Sequence, residues 1–395
     1  MPKKSFIPTA HFKNQFLLDP DIAFLNHGSF GACPEPVFER YQSWQRELEN
    51  QPVEFLQRRI PLLIAEVRNE LGGYLGCDAD ELVFFPNPTT AINMVVRSLD
   101  LQAGDEILST NHEYGAMDRT WRFICQETGA IFVQQSVPLP ATSQQEITQQ
   151  IWSGVTEKTK VLFVSHITSA TSLIFPIEDL CRRARQAGIL SIVDGAHAVG
   201  QMDLHLGDTG ADIYTGACHK WLCAPKGSAF LYVNRDSQAQ MLKPLVVSWG
   251  YLAEKPGPST FIDHHDWQGT RDLAAFLSVP DAIRFQSQKN WNRERSRCQQ
   301  LTQATQGQLI DLLKQHALSP ASPDWFLQMC AAQLPEVDEE GLQAALYDQY
   351  KIEIPMYRWE GVPIVRPSFQ VYNNQEDADR LMRGLEKLVP QYLRS

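Results

Sequence analysis

Between about residues 81 and 234, short apolar runs alternate with stretches in which apolar residues recur every three or four positions. The runs fall at 82–85, 106–108, 130–133, 161–164, 189–193, 212–214 and 229–233, each of strand length and most of them rich in valine, isoleucine and phenylalanine. Between them, Ile177, Leu180, Cys181 and Ala184 share one face of a helix predicted over 177–186. The alternation predicts an α/β fold, with a mainly parallel sheet sandwiched by helices in a large domain. After Asp272 a helix-prone stretch runs to about residue 315. Strand candidates follow at 326–331, 352–357 and 363–372, with helices over 338–350 and 375–388. This tail predicts a smaller C-terminal α+β domain. The expected divisions are an N-terminal arm over 1–20, which contains Pro8 and Pro20, a large domain over 21–287 and a small domain over 288–395.

Composition narrows the classes. A chain of 395 residues has room for two cores, and no apolar run approaches the roughly 18–20 residues of a membrane span. The first residues are basic but lead into a polar stretch with no signal-peptide core, so a cytoplasmic protein is expected. With 35 basic against 46 acidic residues, net −11, the surface repels nucleic acid and anionic membranes, and neither is expected as a partner. The eight cysteines form no CxxC pair and read as reduced thiols. Cys218, His219 and Cys223 lack further ligands at usable spacing, so no metal is expected.

The chemistry centres on Lys220, which follows Asp194 by 26 positions (220 − 194). Asp194 closes the apolar run 189–193, where open α/β sheets place ligands. A strand-end carboxylate and a lysine on the following loop suit pyridoxal phosphate. The lysine forms a Schiff base with the aldehyde, and the carboxylate keeps the pyridine nitrogen protonated. No glycine-rich nucleotide signature occurs. The phosphate is therefore assigned to Thr89 and Thr90, which open a helix after the run 82–85 and, taken alone, read equally as helix caps. Arg366 lies inside an apolar strand pattern and needs an anionic partner there.

The ordered set Leu25-Asn26-His27-Gly28-Ser29-Phe30-Gly31, Asn111-His112-Glu113-Tyr114-Gly115-Ala116, Val193-Asp194-Gly195-Ala196-His197, His219-Lys220-Trp221 and Gly269-Thr270-Arg271-Asp272 resembles the class V aminotransferase superfamily of fold-type I pyridoxal-phosphate enzymes. Within it the set is most similar to the isopenicillin N epimerase-like proteins, from about residue 20 onward. The resemblance implies that Lys220 carries the cofactor and Asp194 pairs with its pyridine nitrogen. It places His197 against the phenolic oxygen, with Ser169 nearby, and Tyr114 on the cofactor face, where relatives often have histidine. It also implies that His219 joins Thr89 and Thr90 at the phosphate, that Thr270 reaches the phosphate of a second subunit in a homodimer, and that Arg366 clamps a substrate α-carboxylate. Asn26 and His27 are expected at the substrate entrance.

These expectations describe an enzyme acting at the α-carbon of an amino acid or amino-acid-like substrate, with the freed Lys220 amine as general base. Epimerisation, transamination and C–S lysis share the same residues. Epimerisation needs a further acid, for which Tyr114 and His112 are the candidates. Desulfuration through a protein persulfide is disfavoured, because no cysteine follows Cys330. A non-catalytic binding module built on the same fold is the contrasting class, and it has no chemical need for Lys220, Asp194 and Arg366 together.

Overall fold

The computed structural model describes residues 10–257, 259–288 and 290–394. Among these, seven strands form one sheet: β1 (Leu82–Phe85), β2 (Glu106–Thr110), β3 (Ile131–Gln135), β4 (Thr159–Ser165), β5 (Leu190–Asp194), β6 (Ile213–Ala217) and β7 (Ala229–Val233). The order is β1-β7-β6-β5-β4-β2-β3. Only β7 runs antiparallel to its neighbours, and the remaining pairs are parallel. Helices cover both faces, which is why the central strands read as unbroken apolar runs. In β1, Leu82 and Phe84 enter one core while Val83 and Phe85 enter the other, as the two-residue side-chain period of a strand requires.

Parallel strands bring their C-terminal ends to one edge. The segments after β2, β4, β5 and β6 (residues 111–114, 166–169, 195–197 and 218–220) therefore gather there, although up to 109 positions (220 − 111) separate them. Helix Pro88–Ser98 follows β1 directly. Asn87 caps it, accepting the Thr90 backbone N–H at 2.8 Å.

In the C-terminal part, β8 (Ala332–Gln333), β9 (Met356–Trp359) and β10 (Val362–Val365) form an antiparallel sheet in the order β9-β10-β8. Helices Trp291–Leu313, Glu339–Tyr350 and Gln375–Leu388 pack around its core. The N-terminal segment joins this core: Ala23–Phe24 pairs in parallel with Ile352–Glu353, and Ala23 and Leu25 are buried among its residues.

Several elements differ from expectation. The helical stretch after Asp272 divides into Ala274–Leu277, Val279–Gln286 and Trp291–Leu313, with Pro280 in the first turn of the middle helix. Residues 326–331 are buried but form no strand, making only a bridge from Met329 to Ser368. The expected strand 352–357 breaks at Ile354-Pro355, and that over 363–372 stops at Val365, before Pro367, because proline cannot donate to a ladder. Within the expected arm, the described part is packed and not loose. Phe12 and Phe16 each meet Phe285 edge-on at 6.1 Å, and Phe16 meets Tyr372 at 4.9 Å.

Candidate active site

At the gathered strand ends lies a cavity of about 290 Å³, lined among others by Thr89, Tyr114, Asp194, His197, His219 and Lys220. Asp194 ends β5 and is buried, with one carboxylate oxygen accepting the Ala196 N–H at 3.0 Å. Lys220 follows β6, and its Nζ lies 3.3 Å from His197 Nε2. The lysine loop is pressed from behind by the N-terminal segment. At Gly31, where φ is +68°, a Cβ would stand 2.2 Å from the His219 carbonyl oxygen, so only glycine permits the approach.

Burial dominates the electrostatics. It pushes the Lys220 ammonium down to about 8, helped by the Arg366 guanidinium and opposed by Asp194. Burial also lifts the Asp194 carboxyl, opposed by the Ala196 N–H and then by Lys220. A cation placed against Asp194 would reverse that shift. Burial lowers His219 to about 4, and its Nδ1–H donates to the Ser228 carbonyl at 2.7 Å, leaving Nε2 available.

Arg366, 5% exposed, follows β10 and reaches the cavity wall. It donates to the Ser169 carbonyl and, at 3.3 Å, to the Ser29 hydroxyl, and both serines line the cavity. Its Nε–H is buried without a partner among the described residues. An orphaned guanidinium donor at a cavity wall is matched by a carboxylate.

Other expected residues lie elsewhere. Thr90 is absent from the lining; its hydroxyl and N–H both go to the Asn87 side chain, so it acts as a capping partner. His112 is fully buried away from the cavity. Its Nε2–H donates to the Val137 carbonyl at 2.8 Å and its Nδ1 accepts from the Thr171 hydroxyl at 2.7 Å. Burial holds it at about 4, its single ring proton is engaged, and it does not line the cavity. His27 points to the back of the lysine loop, donating from Nε2 to the Lys220 carbonyl at 3.1 Å and accepting from the Tyr372 hydroxyl at 2.9 Å. It braces Lys220 and does not line the cavity. Asn26 bonds Glu353 at 3.0 Å and Ser29 at 2.5 Å, placing it behind the wall. Thr270 lines a second hollow, of about 640 Å³, beside Val53, Ser248 and Trp249.

The structure adds residues that the sequence reading passed over. Asn87, Ser29 and Phe30 line the cavity. Glu113 is buried behind it, accepting from Thr110 at 2.7 Å and from the cavity-lining Ser165 at 2.6 Å. Burial lifts its carboxyl to about 8. The adjoining Asn-Pro pair was a visible signal for Asn87; Glu113 stood in the motif Asn111-His112-Glu113-Tyr114-Gly115-Ala116, but nothing in one dimension gave it a role.

The donor set fits pyridoxal phosphate. A strand-end carboxylate has an oxygen to pair with a pyridinium, a half-buried lysine stands beside an imidazole, and an 11-residue helix turns its N-terminus, with Thr89, toward a cavity shared with His219. Among the described residues no group of three histidine, cysteine, aspartate or glutamate side chains could hold a metal ion. No helix there is long and apolar enough to cross a membrane.

Comparison with known proteins agrees with this donor set. The family profile Aminotransferase class-V matches residues 31–381. The chain is 36% identical over 392 residues to an isopenicillin N epimerase from Amycolatopsis lactamdurans, covering 96% of this chain and 98% of that protein. It is 28% identical over 431 residues to a probable L-cysteine desulfhydrase, chloroplastic, from Arabidopsis thaliana, covering 98% and 87%. Its fold is similar to that of a cysteine desulfurase from Thermococcus onnurineus, with a TM-score of 0.82 at 19% identity, covering 98% and 99%.

Proposed function

The chain belongs to the class V aminotransferase family, whose members are pyridoxal-phosphate enzymes, and from that premise we propose that it epimerises the α-carbon of an amino acid or peptide-like amine carrying a free α-carboxylate. The observation that carries this reading is the sharing of one cavity by two proton-bearing side chains, Lys220 and Tyr114, with Arg366 bound to its wall. When bound, pyridoxal phosphate supplies an aldehyde for the substrate amine and a ring that accepts the electrons left as the α-proton departs. Thr89, His219 and the first turn of helix Pro88–Ser98 hold its phosphate, and Asp194 pairs with its ring nitrogen. Lys220 removes the α-proton. Arg366 fixes the carboxylate and so limits which bonds of the α-carbon are presented. Tyr114, which a purely eliminating enzyme does not need, returns a proton from the cavity wall.

A second reading, C–S lysis, is favoured by the near full-length similarity to the desulfhydrase. Lysis by elimination needs no protein thiol, and among the described residues no cysteine lines the cavity. The readings separate in one experiment. The holoenzyme is incubated in D2O with isopenicillin N and with L- and D-amino acids, including cysteine and cystine, and followed by NMR and chiral chromatography. Deuterium entering the α-position with inversion is the expected result. Sulfide and pyruvate from cysteine without inversion would replace epimerisation by lysis, and a keto acid without sulfide would replace it by transamination.

The proposal includes a homodimer. Val53 and Trp249 line the hollow that holds Thr270 and are exposed, Trp249 at 85%, and Val247 and Leu252, near Trp249 in sequence, are exposed as well; exposed apolar side chains of this kind suit a protein interface. Thr270 lies outside its own chain's cavity and is free to serve a partner's. Sedimentation is expected to give a dimer, with Trp249→Glu shifting it toward monomer and lowering activity. A fully active wild-type monomer would remove Thr270 from the site.

A further inference from the structure

Trp221, next to the cavity lysine, is completely buried, and its indole Nε1–H donates to His197 Nδ1 at 3.3 Å. An indole nitrogen can only donate, so His197 Nδ1 must be the acceptor and carries no proton. A neutral imidazole then has its one proton on Nε2, the atom 3.3 Å from Lys220 Nζ. The imidazole is neutral, since burial drives its pKa well below the usual value, with Lys220, Arg366 and His27 adding to the shift. His197 therefore presents an N–H to Lys220. An uncharged amine accepts from that N–H; an ammonium would oppose donor to donor.

We propose that Trp221 is a positioning residue that locks His197 in its Nε2–H tautomer and thereby favours the uncharged form of the Lys220 amine. The consequence for catalysis rests on the reading of Lys220 as the base, whereas the lock itself does not. The same N–H is the donor that His197 would turn toward the cofactor's phenolic oxygen. The other groups around Lys220 divide. Arg366, which follows β10, favours the amine, and Asp194, at the end of β5, favours the ammonium. His27 and His219 are both lowered by burial, to about 3 and about 4, and contribute no cation near neutral pH. Lys226 acts on His27 and His219. Burial, the largest influence, also favours the amine, and the histidine tautomer adds a directional contact on the same side. Without the indole donor, His197 can move its proton to Nδ1 and offer Nε2 as a lone pair, which an ammonium would seek.

The test substitutes Trp221→Phe, which keeps an apolar ring and removes the N–H. Long-range ¹⁵N–¹H NMR of histidine-labelled protein, without cofactor, reads the tautomer directly. Wild type is expected to show His197 protonated on Nε2, and the variant a population protonated on Nδ1. In the holoenzyme, where bound substrate frees the Lys220 amine, the low-pH limb of kcat is expected to move upward, by about one pH unit if the contact is worth a tenfold shift in the lysine equilibrium. Wild-type His197 protonated on Nδ1 would overturn the proposal whether or not the variant folds. An unchanged tautomer or an unmoved limb in a folded variant would overturn it as well. A confirmed tautomer in a protein that never takes up pyridoxal phosphate would refute the cofactor reading and leave the lock standing.

Discussion

Lys220→Ala is expected to yield a folded protein that remains colourless after excess pyridoxal phosphate is removed by gel filtration, with kcat/KM reduced by roughly 10²–10⁴ or more. The amine is the only lysine among the cavity-lining residues. It serves two needs at once, covalent retention of the cofactor and removal of the substrate proton, so no neighbour substitutes for it. His197 is the nearest ring nitrogen, but burial keeps it a weak base. The fold should tolerate the change. Alanine removes an amine whose charged form burial and Arg366 disfavour, and the His27 bond to residue 220 uses the backbone carbonyl, which alanine retains. Circular dichroism close to wild type with loss of the visible band is the expected pair of results. A yellow band surviving in the variant would take the lysine out of its assigned role.

Arg366→Ala carries the second largest effect, a fall in kcat/KM of about 2–5 kcal/mol, or roughly 30-fold to several-thousand-fold. The side chain is nearly enclosed, and removing it leaves a substrate carboxylate desolvated without its partner. Two effects overlap here. Arg366 also ties the C-terminal part of the chain to Ser169 and Ser29 at the cavity wall, so some loss reflects a displaced wall. Arg366→Lys separates them in part: it keeps the charge but not the planar fork, and should lie between wild type and alanine. A substrate amide that lacks the α-carboxylate separates them further, since it should react poorly with wild type and no worse with Arg366→Ala. Equal losses for the acid and the amide would show that Arg366 shapes the site without holding the carboxylate.

The large sheet was legible because each strand is short and bounded by polar turns, and all but the edge strand β3 are largely buried, so every run from 82–85 to 229–233 became a strand. The tail was less so. Residues 326–331 are as apolar as a strand but lie buried as irregular chain, with Cys330 donating its N–H to the Pro367 carbonyl, and burial alone does not distinguish the two. At the site, Lys220, Asp194, His197, His219, Thr89, Tyr114 and Ser169 converge because parallel strands deliver their loops to one edge, a topological consequence that apolar alternation announces. What failed was the direction of individual side chains. His27 and His112 differ from His197 in nothing that spacing reveals; each is turned by one hydroxyl and one carbonyl from segments far away in sequence. Trp221 was read only as part of a recognisable string, because the value of a buried indole N–H depends on the atom it meets.

The pairing of Ala23–Phe24 with Ile352–Glu353 sets an order of events in time. Residue 23 leaves the ribosome 329 positions (352 − 23) before its partner. At ordinary elongation rates of about 5–20 residues per second, that is a wait of roughly 16–66 s. During it, the large sheet, complete by residue 233, has time to form, while Ala23 and Leu25 await the core that buries them. The Asn26-to-Gly31 stretch that braces the lysine loop is tethered to that same waiting strand, so a nascent chain stopped before residue 352 would hold Lys220 without its full support. Competence would thus arrive late and abruptly in synthesis, with the closing of a contact between the two ends of the chain.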